Sequence, residues 1–236
     1  MVTEAKRLVV IGASGCGRQT LDVVVAINEF FGETRYEVLG VVDDSPSETN
    51  LRRLADRDVA YLGTTSDWLN LAPPTYYTVG IGDPVSRGRI ASVFDEAGHL
   101  PVSLIDPDAV VGTRAKISPG VVIRAGAKIC TNVTLQRHVY VNFNVVVGHD
   151  TVCEDYVSLN PGALISGECS IREAALVGAG AVVLQGLEVG EAAVVGAGAC
   201  VTRPVPAGRV AMGIPARCVE LEQPRPESAQ MTLEGE

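Results

Sequence analysis

A histidine followed by an aspartate, His149-Asp150, is the pair of residues in this 236-residue sequence best suited to proton-transfer chemistry. The pair ends an aliphatic stretch, VNFNVVVGHDTV, and the chain has only three histidines in all. Histidine side chains titrate near neutral pH, so an imidazole is able to take a proton from an attacking group under physiological conditions. His149 is therefore a candidate catalytic base, with a metal ligand and a packed core residue as the alternatives.

The element that must position this pair is a six-residue repeat. From Ile105 to Val201 every sixth residue is aliphatic at sixteen of seventeen positions, the exception being Cys153, and no insertion breaks the register. A helix has a period of 3.6 and a strand a period of two, whereas a fixed longer period indicates a solenoid. We predict a hexapeptide-repeat parallel β-helix over residues 105–206, with three hexads per turn. Known examples of this fold wind left-handed.

Stacking of residues eighteen apart places His149 on this prism. It lies two residues past the inward corner Val147, between Thr131 and Gly167, so it belongs to a turn and not to the core. The Gly167 N–H is a candidate donor to a tetrahedral oxyanion. A zinc site would need further imidazoles, but His138 is eleven residues away and out of column, so no metal is predicted. His138 itself is interpreted as a surface residue.

Two other decorations of the repeat leave alternatives open. Asn142 and Asn160 are eighteen residues apart and are interpreted as a structural side-chain ladder. The near copies LVGAGAVV and VVGAGACV stack Gly178 on Gly196 and Ala179 on Ala197. The bare backbone of these two stretches serves either for tight packing or for contacts with a long ligand that lies along the prism.

Before the prism, strands alternate with helices. We predict strands over 6–12, 36–44, 75–83 and 100–105 and helices after the first and third, which indicates a Rossmann-like α/β domain with a parallel sheet over residues 1–104. Ligands bind at the carboxyl ends of such strands. The candidate substrate-binding residues there are Gly12, Ala13, Ser14, Gly15, Cys16, Gly17, Asp43, Asp44, Gly82 and Asp83.

The glycine loop of this domain has the spacing G-x-x-G-x-G, which is not the dinucleotide fingerprint G-x-G-x-x-G. Glycines before a helix N-terminus still suit a phosphate, because free N–H groups and the helix dipole point outward there. A tight turn without a ligand is the alternative interpretation.

Composition excludes several classes of function. A net charge of −9 and a pI of about 4.9 argue against a nucleic-acid surface. No secretory signal and no apolar run of about 20 residues is visible, so we expect a cytoplasmic protein without membrane insertion. Six cysteines without a CxxC pair are expected to be free thiols with small buried roles. Residues 207–221 are expected to close the prism, and the polar residues 222–236 to be disordered.

The order of five motifs, VVIGASGCG, GVVDD, VGIGD, VVVGHD and GIPAR, gives a more specific indication. Over about residues 6–219 the chain resembles the sialic acid O-acetyltransferase family of hexapeptide-repeat sugar acyltransferases. That family includes N-acetyltransferases acting on nucleotide-linked 4-amino sugars such as bacillosamine and perosamine. The sequence departs from the family pattern at Cys16, where His or Phe is common, and at Asp106, where the prism is often entered with His-Pro.

The resemblance implies a homotrimer that uses acetyl-CoA, with each active site between adjacent prisms. It implies that His149 is the base, that Asp150 strengthens it, and that backbone groups of Gly167, Ala179 and Ala197 line the pantetheine channel. It also implies that the glycine loop, with Asp43 and Asp44, holds a sugar nucleotide.

The leading hypothesis is therefore an acetyltransferase that modifies a hydroxyl or an amine of a sugar, with direct attack by the acceptor. No cysteine lies beside His149, so a covalent acyl-cysteine is not expected. The alternative is a non-catalytic trimeric scaffold that binds a nucleotide or sugar, and it predicts no binding of CoA.

Overall fold

The structure is a computed structural model that describes residues 4–219. It consists of an α/β domain followed by a long prism of short strands. The tail predicted to be disordered, residues 222–236, lies outside the described residues.

The α/β domain is built on a four-stranded parallel sheet of order β2-β1-β3-β4. Its elements are β1 Lys6–Ile11, α1 Gly15–Phe31, β2 Tyr36–Val42, α2 Glu48–Ala55, α3 Thr65–Leu71, β3 Tyr76–Val79, α4 Pro84–Glu96 and β4 Leu100–Pro101. The sequence predicted the parallel sheet and the two long helices, α1 and α4, but not α2 and α3. These two have seven or eight residues, which is too short to show a helical period, although Ser47 and Thr64 cap their N-termini.

Three glycines bring α1 against the sheet. A Cβ on Gly17 would lie 1.7 Å from the carbonyl oxygen of Gly12, and one on Gly80 would lie 2.4 Å from the Cα of Gly17. Since no side chain fits in these gaps, the glycines fix the approach of the helix N-terminus to the ends of β1 and β3. Gly12 and Gly17 therefore have a packing role within the predicted ligand loop.

The prism is a left-handed parallel β-helix of about six turns. Its seventeen two-residue strands confirm the seventeen hexads, and each strand pairs with the third strand along the chain, which gives three faces. The strands are β5 Leu104–Ile105, β6 Val110–Val111, β7 Lys116–Ile117, β8 Val122–Ile123, β9 Lys128–Ile129, β10 Thr134–Leu135, β11 Tyr140–Val141, β12 Val146–Val147, β13 Val152–Cys153, β14 Ser158–Leu159, β15 Leu164–Ile165, β16 Ser170–Ile171, β17 Leu176–Val177, β18 Val182–Val183, β19 Glu188–Val189, β20 Val194–Val195 and β21 Cys200–Val201.

The three faces have different surroundings. We call the face of β5, β8, β11, β14, β17 and β20 the domain face, because the α/β domain bonds to it through side chains of β11 and β14. The face of β6, β9, β12, β15, β18 and β21 is called the open face. The last face, of β7, β10, β13, β16 and β19, is called the polar face because Lys116, Thr134, Ser170 and Glu188 project from it.

The repeat residues form one continuous core, and each turn adds a left-handed residue. The inward residues Val141, Val147 and Cys153 are fully buried, as predicted from the period of six. Every sixth residue from Arg114 to Gly198 has a positive φ, including Asn132 at 60° and Asp150 at 59°. Gly, Asn and Asp occupy this conformation at the least cost, which explains why they recur at the corners.

The far end of the prism is closed by a short antiparallel pair, β22 Val210–Met212 and β23 Arg217–Val219, within the predicted closing segment. The six cysteines are unpaired, in agreement with the expectation of free thiols. Their predicted buried roles hold for Cys153 and Cys169, but Cys218 is exposed because the closing pair lies at the surface. Within residues 4–219, no helix has the length and apolar character needed to cross a bilayer.

Candidate active site

The His149-Asp150 pair lies on the corner that follows β12, at the edge of the open face. The imidazole Nδ1 is 2.8 Å from Oδ2 of Asp150, and each side chain is about half exposed, at 49% and 48%. A carboxylate only accepts hydrogen bonds, so this contact places the ring proton on Nδ1. Nε2 is then the nitrogen with a free lone pair, which is the arrangement a general base requires.

Gly167, one coil further along, is shaped to receive the ring. A Cβ at this position would lie 2.5 Å from Nε2 and 2.6 Å from Cε1 of His149, so only glycine leaves room for the imidazole. In the described part of the chain, the Gly167 N–H donates to no other group. The free nitrogen of the imidazole thus lies beside Gly167, a residue whose backbone N–H is unpaired, as an oxyanion-stabilising site would need.

The dyad is held in a column of polar turn residues. Asn132 Nδ2 donates to Oδ1 of Asp150 at 2.9 Å from the preceding coil. The hydrogen bond to His149 and then the one from Asn132 lower the pKa of the Asp150 carboxyl below its usual range. From the next coil, Glu168 adds a second carboxylate, with one polar atom of each of His149, Asp150 and Glu168 within 4.8 Å of the others.

The GAG corners follow β17 and β20. Ala179 and Ala197 are exposed, and within residues 4–219 their N–H groups have no acceptor. Gly178 and Gly196 differ, because their N–H groups donate to Val195 and Ala211 in the coil ladder at 2.8 Å. A Cβ on Gly178 would lie 2.6 Å from the nitrogen of Ala197. The sequence left two interpretations of these stretches open, tight packing and contacts with a ligand. Gly178 and Gly196 have the packing role, whereas the N–H groups available to a ligand are those of Ala179 and Ala197.

The α/β domain brings its glycine loop and the first strand-end acid together. Asp43 Oδ2 accepts from the Ala13 N–H at 2.7 Å, and Ser14 and Gly15 are exposed. Asp44 instead accepts from the Thr65 N–H at 2.7 Å, which ties it to the start of α3.

The other strand-end residues have partners within the fold. Asp83 Oδ2 caps α4 by accepting from Ser86 N–H at 2.8 Å. The carbonyl of Gly82 accepts from Arg87 and Ser158. Their local roles are thus a helix cap and a contact with the prism.

Arg18 adds a positive charge beside the loop. One guanidinium nitrogen donates to the Ala13 carbonyl at 2.8 Å, and the other lies 3.9 Å from where a Gly15 Cβ would stand. Partial burial, and then the nearby charges of Arg53 and Arg57, lower the pKa of Arg18. A cluster of arginines next to free helix N–H groups suits an anionic ligand.

Cys16 faces the prism instead of solvent. Its thiol is 3.0 Å from the hydroxyl of Tyr140, and its carbonyl accepts from Arg124 at 3.0 Å. Arg124 also donates to Gln19 and to the Tyr140 hydroxyl, and it is fully buried. Burial raises the pKa of the Cys16 thiol, and the charges of Arg124 and Arg87 partly offset this shift. At Cys16 the predicted ligand loop is thus anchored to the prism.

The prediction that His138 is a surface residue is wrong. Its side chain is fully buried between Tyr77 and Tyr156, with ring centroids 5.9 and 5.7 Å away. It stands on a prism corner that the α/β domain covers, which a count along the chain does not reveal. Burial lowers the pKa of His138 to about 4, so the ring is neutral at physiological pH.

The Asn142–Asn160 ladder is also not formed among the described hydrogen bonds. Asn142 Oδ1 accepts from the N–H of Phe143 at 2.9 Å and closes its own turn. A local side-chain bond of this kind competes directly with a ladder for the same oxygen.

Sequence reasoning missed Asn132, Arg18, Arg87 and Arg124. The signal for Asn132 was present, because it lies eighteen residues before Asp150 and so stacks on it. The arginines gave no comparable signal, since their partners are 5 to 108 residues away and mostly backbone carbonyls.

Residues 7–94 match the family model for the PglD N-terminal domain. GDP-perosamine N-acetyltransferase of Escherichia coli O157:H7 is 35% identical over 103 residues, which cover 44% of this chain and 47% of that protein. The sequence match thus spans about half the length of this curated relative.

Solved structures match nearly the whole chain. The acetyltransferase domain of PglB from Neisseria gonorrhoeae FA1090, in complex with acetyl coenzyme A, is 30% identical with a TM-score of 0.80, covering 91% of this chain and 100% of that one. PerB from Caulobacter crescentus, in complex with CoA and GDP-perosamine, is 27% identical with a TM-score of 0.80, covering 90% and 97%.

Proposed function

The chain belongs to the sugar N-acetyltransferases of the perosamine and bacillosamine type, and from that premise we propose that it transfers an acetyl group from acetyl-CoA to an amine of a nucleotide-linked sugar. The observation that carries the proposal is the His149-Asp150 pair, with Nε2 beside Gly167, whose N–H is unpaired.

In the proposed reaction, His149 Nε2 takes one proton from the acceptor amine as its nitrogen attacks the thioester carbonyl. Asp150 holds the proton on Nδ1 and stabilises the imidazolium. The Gly167 N–H donates to the oxyanion of the tetrahedral intermediate. When the intermediate collapses, the C–S bond breaks, and His149 returns its proton to the departing thiolate. An amide and free CoA result, and no covalent acyl-enzyme is required.

For the acyl donor we propose the corners that follow β17 and β20, together with Gly167. Ala179 and Ala197 offer unpaired N–H groups, which suit the amide carbonyls of a pantetheine arm. A Cβ on Gly180 or Gly198 would meet no atom within 4 Å, so the space beside these groups is open. Gly178 and Gly196 support this surface by letting the coils stack.

For the nucleotide part of the acceptor we propose the exposed loop residues Ser14 and Gly15, with Arg18 beside them. The first N–H groups of α1 and the Arg18 guanidinium supply donors and positive charge for a diphosphate. Asp43 positions this loop through the Ala13 N–H. We place the reaction in the cytoplasm, where six free thiols are stable.

We propose that the open face joins copies of the chain in a homotrimer. Its outward residues are mostly aliphatic, with Val110 59% and Leu164 47% exposed and Val146 and Val182 half-buried. Large exposed apolar patches usually mark protein contacts. Since His149 lies at the edge of this face, a neighbouring prism would form the opposite wall of its site.

The test is His149→Ala, measured by CoA thiol release with acetyl-CoA and a panel of nucleotide-linked amino sugars. We expect kcat to fall about 100-fold or more, with an unchanged melting temperature because the side chain is exposed. Full turnover in this variant would remove His149 from the mechanism. No binding of CoA to the wild-type chain at millimolar concentration would contradict the acetyltransferase itself.

A further inference from the structure

Asn132, on the corner one coil before Asp150, bonds to the carboxylate oxygen of Asp150 that His149 does not contact. Asn132 and Asp150 are eighteen residues apart, and both have left-handed backbones, with φ of 60° and 59°. Oδ1 of Asp150 accepts from Asn132 Nδ2 at 2.9 Å, while Oδ2 is bonded to His149 Nδ1 at 2.8 Å. The two oxygens thus have different fixed partners, and any rotation of the carboxylate breaks one of these bonds.

The bond from Asn132 matters because the His149-Asp150 pair is accessible to water. The Asp150 side chain is 48% exposed, so water competes with His149 for its oxygens. A carboxylate held on one side only is free to turn toward solvent and to release the imidazole, whose two neutral tautomers then interconvert.

We propose that Asn132 is a positioning residue for the proposed acetyl transfer: by holding the Asp150 carboxylate, it keeps the His149 proton on Nδ1 and the lone pair on Nε2. The inference rests on the proposed function for its kinetic consequence only. The hydrogen bonds and the tautomer are properties of the free chain.

The alternative explanation of Asn132 is its backbone alone, since asparagine is favoured at positive φ. Asn144 separates the two explanations. It is also an exposed asparagine in the left-handed conformation, with φ of 56°, but its side chain is directed at Gly126 and has no contact with the dyad. Glycine accepts this conformation without strain, so replacing either asparagine by glycine removes a side chain and preserves the turn.

In the kinetic test we expect Asn132→Gly to lower kcat about 10-fold, as a misplaced catalytic group does, with little change in KM. Asn144→Gly should keep wild-type kcat. Both variants should melt near the wild-type temperature. Equal losses in the two variants, or none in Asn132→Gly, would contradict the positioning role.

A second variant, Asn132→Asp, keeps the shape and replaces the donor by a carboxylate. The charged groups that face the imidazole are Asp150 and Glu168, and this substitution adds a third carboxylate to the column. We expect the acid limb of the kcat/KM profile to move to higher pH, because added negative charge favours the imidazolium. A purely structural role would lower the profile without moving that limb.

A readout without turnover keeps this inference separate from the proposed function. With three histidines in the chain, the imidazole ¹⁵N signals can be assigned by comparison with His149→Ala. We expect a single Nδ1–H tautomer for His149 in the wild type and in Asn144→Gly, and a mixture in Asn132→Gly. A single tautomer in Asn132→Gly would overturn the inference, whereas a tautomer change in a chain without transferase activity would overturn only the proposed function.

Discussion

Two corners of the same prism carry a histidine, and they differ in almost every physical property. His138 lies under the α/β domain, fully buried between two tyrosine rings, and its pKa is lowered to about 4. His149 lies eleven residues further along on an uncovered corner, half exposed and bonded to Asp150. The repeat supplies equivalent turns, so the covering domain decides which imidazole is structural and which is available for chemistry.

The covered corner is held by a buried cation. Arg87, on α4, is 1% exposed and donates to the carbonyls of His138 and Ile81 at 2.9 and 2.8 Å and to the Ser158 hydroxyl at 2.9 Å. Burial lowers the pKa of Arg87 to about 10, so it remains charged at neutral pH. The carbonyl dipoles compensate for part of the cost of burying the charge.

The largest effect we predict is the loss of stability on replacing Arg87, which holds the covered corner. Arg87→Ala leaves several buried carbonyls without donors, each costing roughly 1–3 kcal/mol, so we expect unfolding to become easier by about 3 kcal/mol or more. Urea denaturation, followed by a spectroscopic signal of the α/β domain, measures this change in the free energy of unfolding.

Arg137→Ala is the matched control. Arg137 pairs with Asp95 near the same junction but is 41% exposed, so its loss should cost about 1 kcal/mol or less. A loss of similar size in both variants would show that burial does not distinguish the two arginines.

The second prediction concerns His138 and acid. Since its pKa of about 4 is below the usual 6.5, the unfolded chain binds more protons between these values. The stability that the neutral ring provides is complete above about pH 6.5 and is lost as pH falls toward 4, at no more than about 1.4 kcal/mol per pH unit. Burial is the main cause of the shift, with Asp95 opposing it and Arg137 and Arg87 adding to it.

His138→Asn should flatten this part of the stability curve, because asparagine keeps the left-handed turn, where φ is 54°, without titrating. Unfolding free energies measured from pH 7 to pH 4 give the slope of each chain. Parallel curves for the variant and the wild type would mean that burial does not lower the pKa of this ring.

The two corners also separate what a sequence reveals from what it conceals. The period of six fixed the register of His149, its distance from the core and its neighbour Gly167, because all of these follow from a count along one chain. The burial of His138 depends on Tyr77, which is 61 residues away in the other domain. No local pattern encodes such a contact, and the same holds for Arg87, Arg124 and the anchoring of Cys16.

Turn residues were predictable in part. The stacking of Asn132 on Asp150 follows from the repeat, whereas the bond between their side chains depends on rotamers that the period does not determine. For Asn142, the same reasoning led to a ladder, but a bond to the next N–H replaced it. Stacking therefore predicts which side chains are neighbours and not which of them bond.

The smallest effect we predict is at the open corner itself. In Gly167→Ala the new methyl would stand 2.5 Å from Nε2 of His149, so the ring must rotate away and stretch its bond to Asp150. We expect kcat to fall about 10-fold with little change in stability, because the ring moves into solvent and not into the core. Initial rates of CoA thiol release, measured over a range of acceptor concentrations, separate kcat from KM.

Gln185→Ala is the control for this corner, since Gln185 occupies the next coil of the same column and bonds to Glu168 instead of the imidazole. It should keep kcat within about 2-fold, as expected for an exposed side chain outside the dyad. If Gly167→Ala also kept wild-type kcat, the added methyl group would not displace the imidazole of His149. That result would contradict the claim that the exposed His149 ring, like the buried His138 ring, is held in one position by its neighbours.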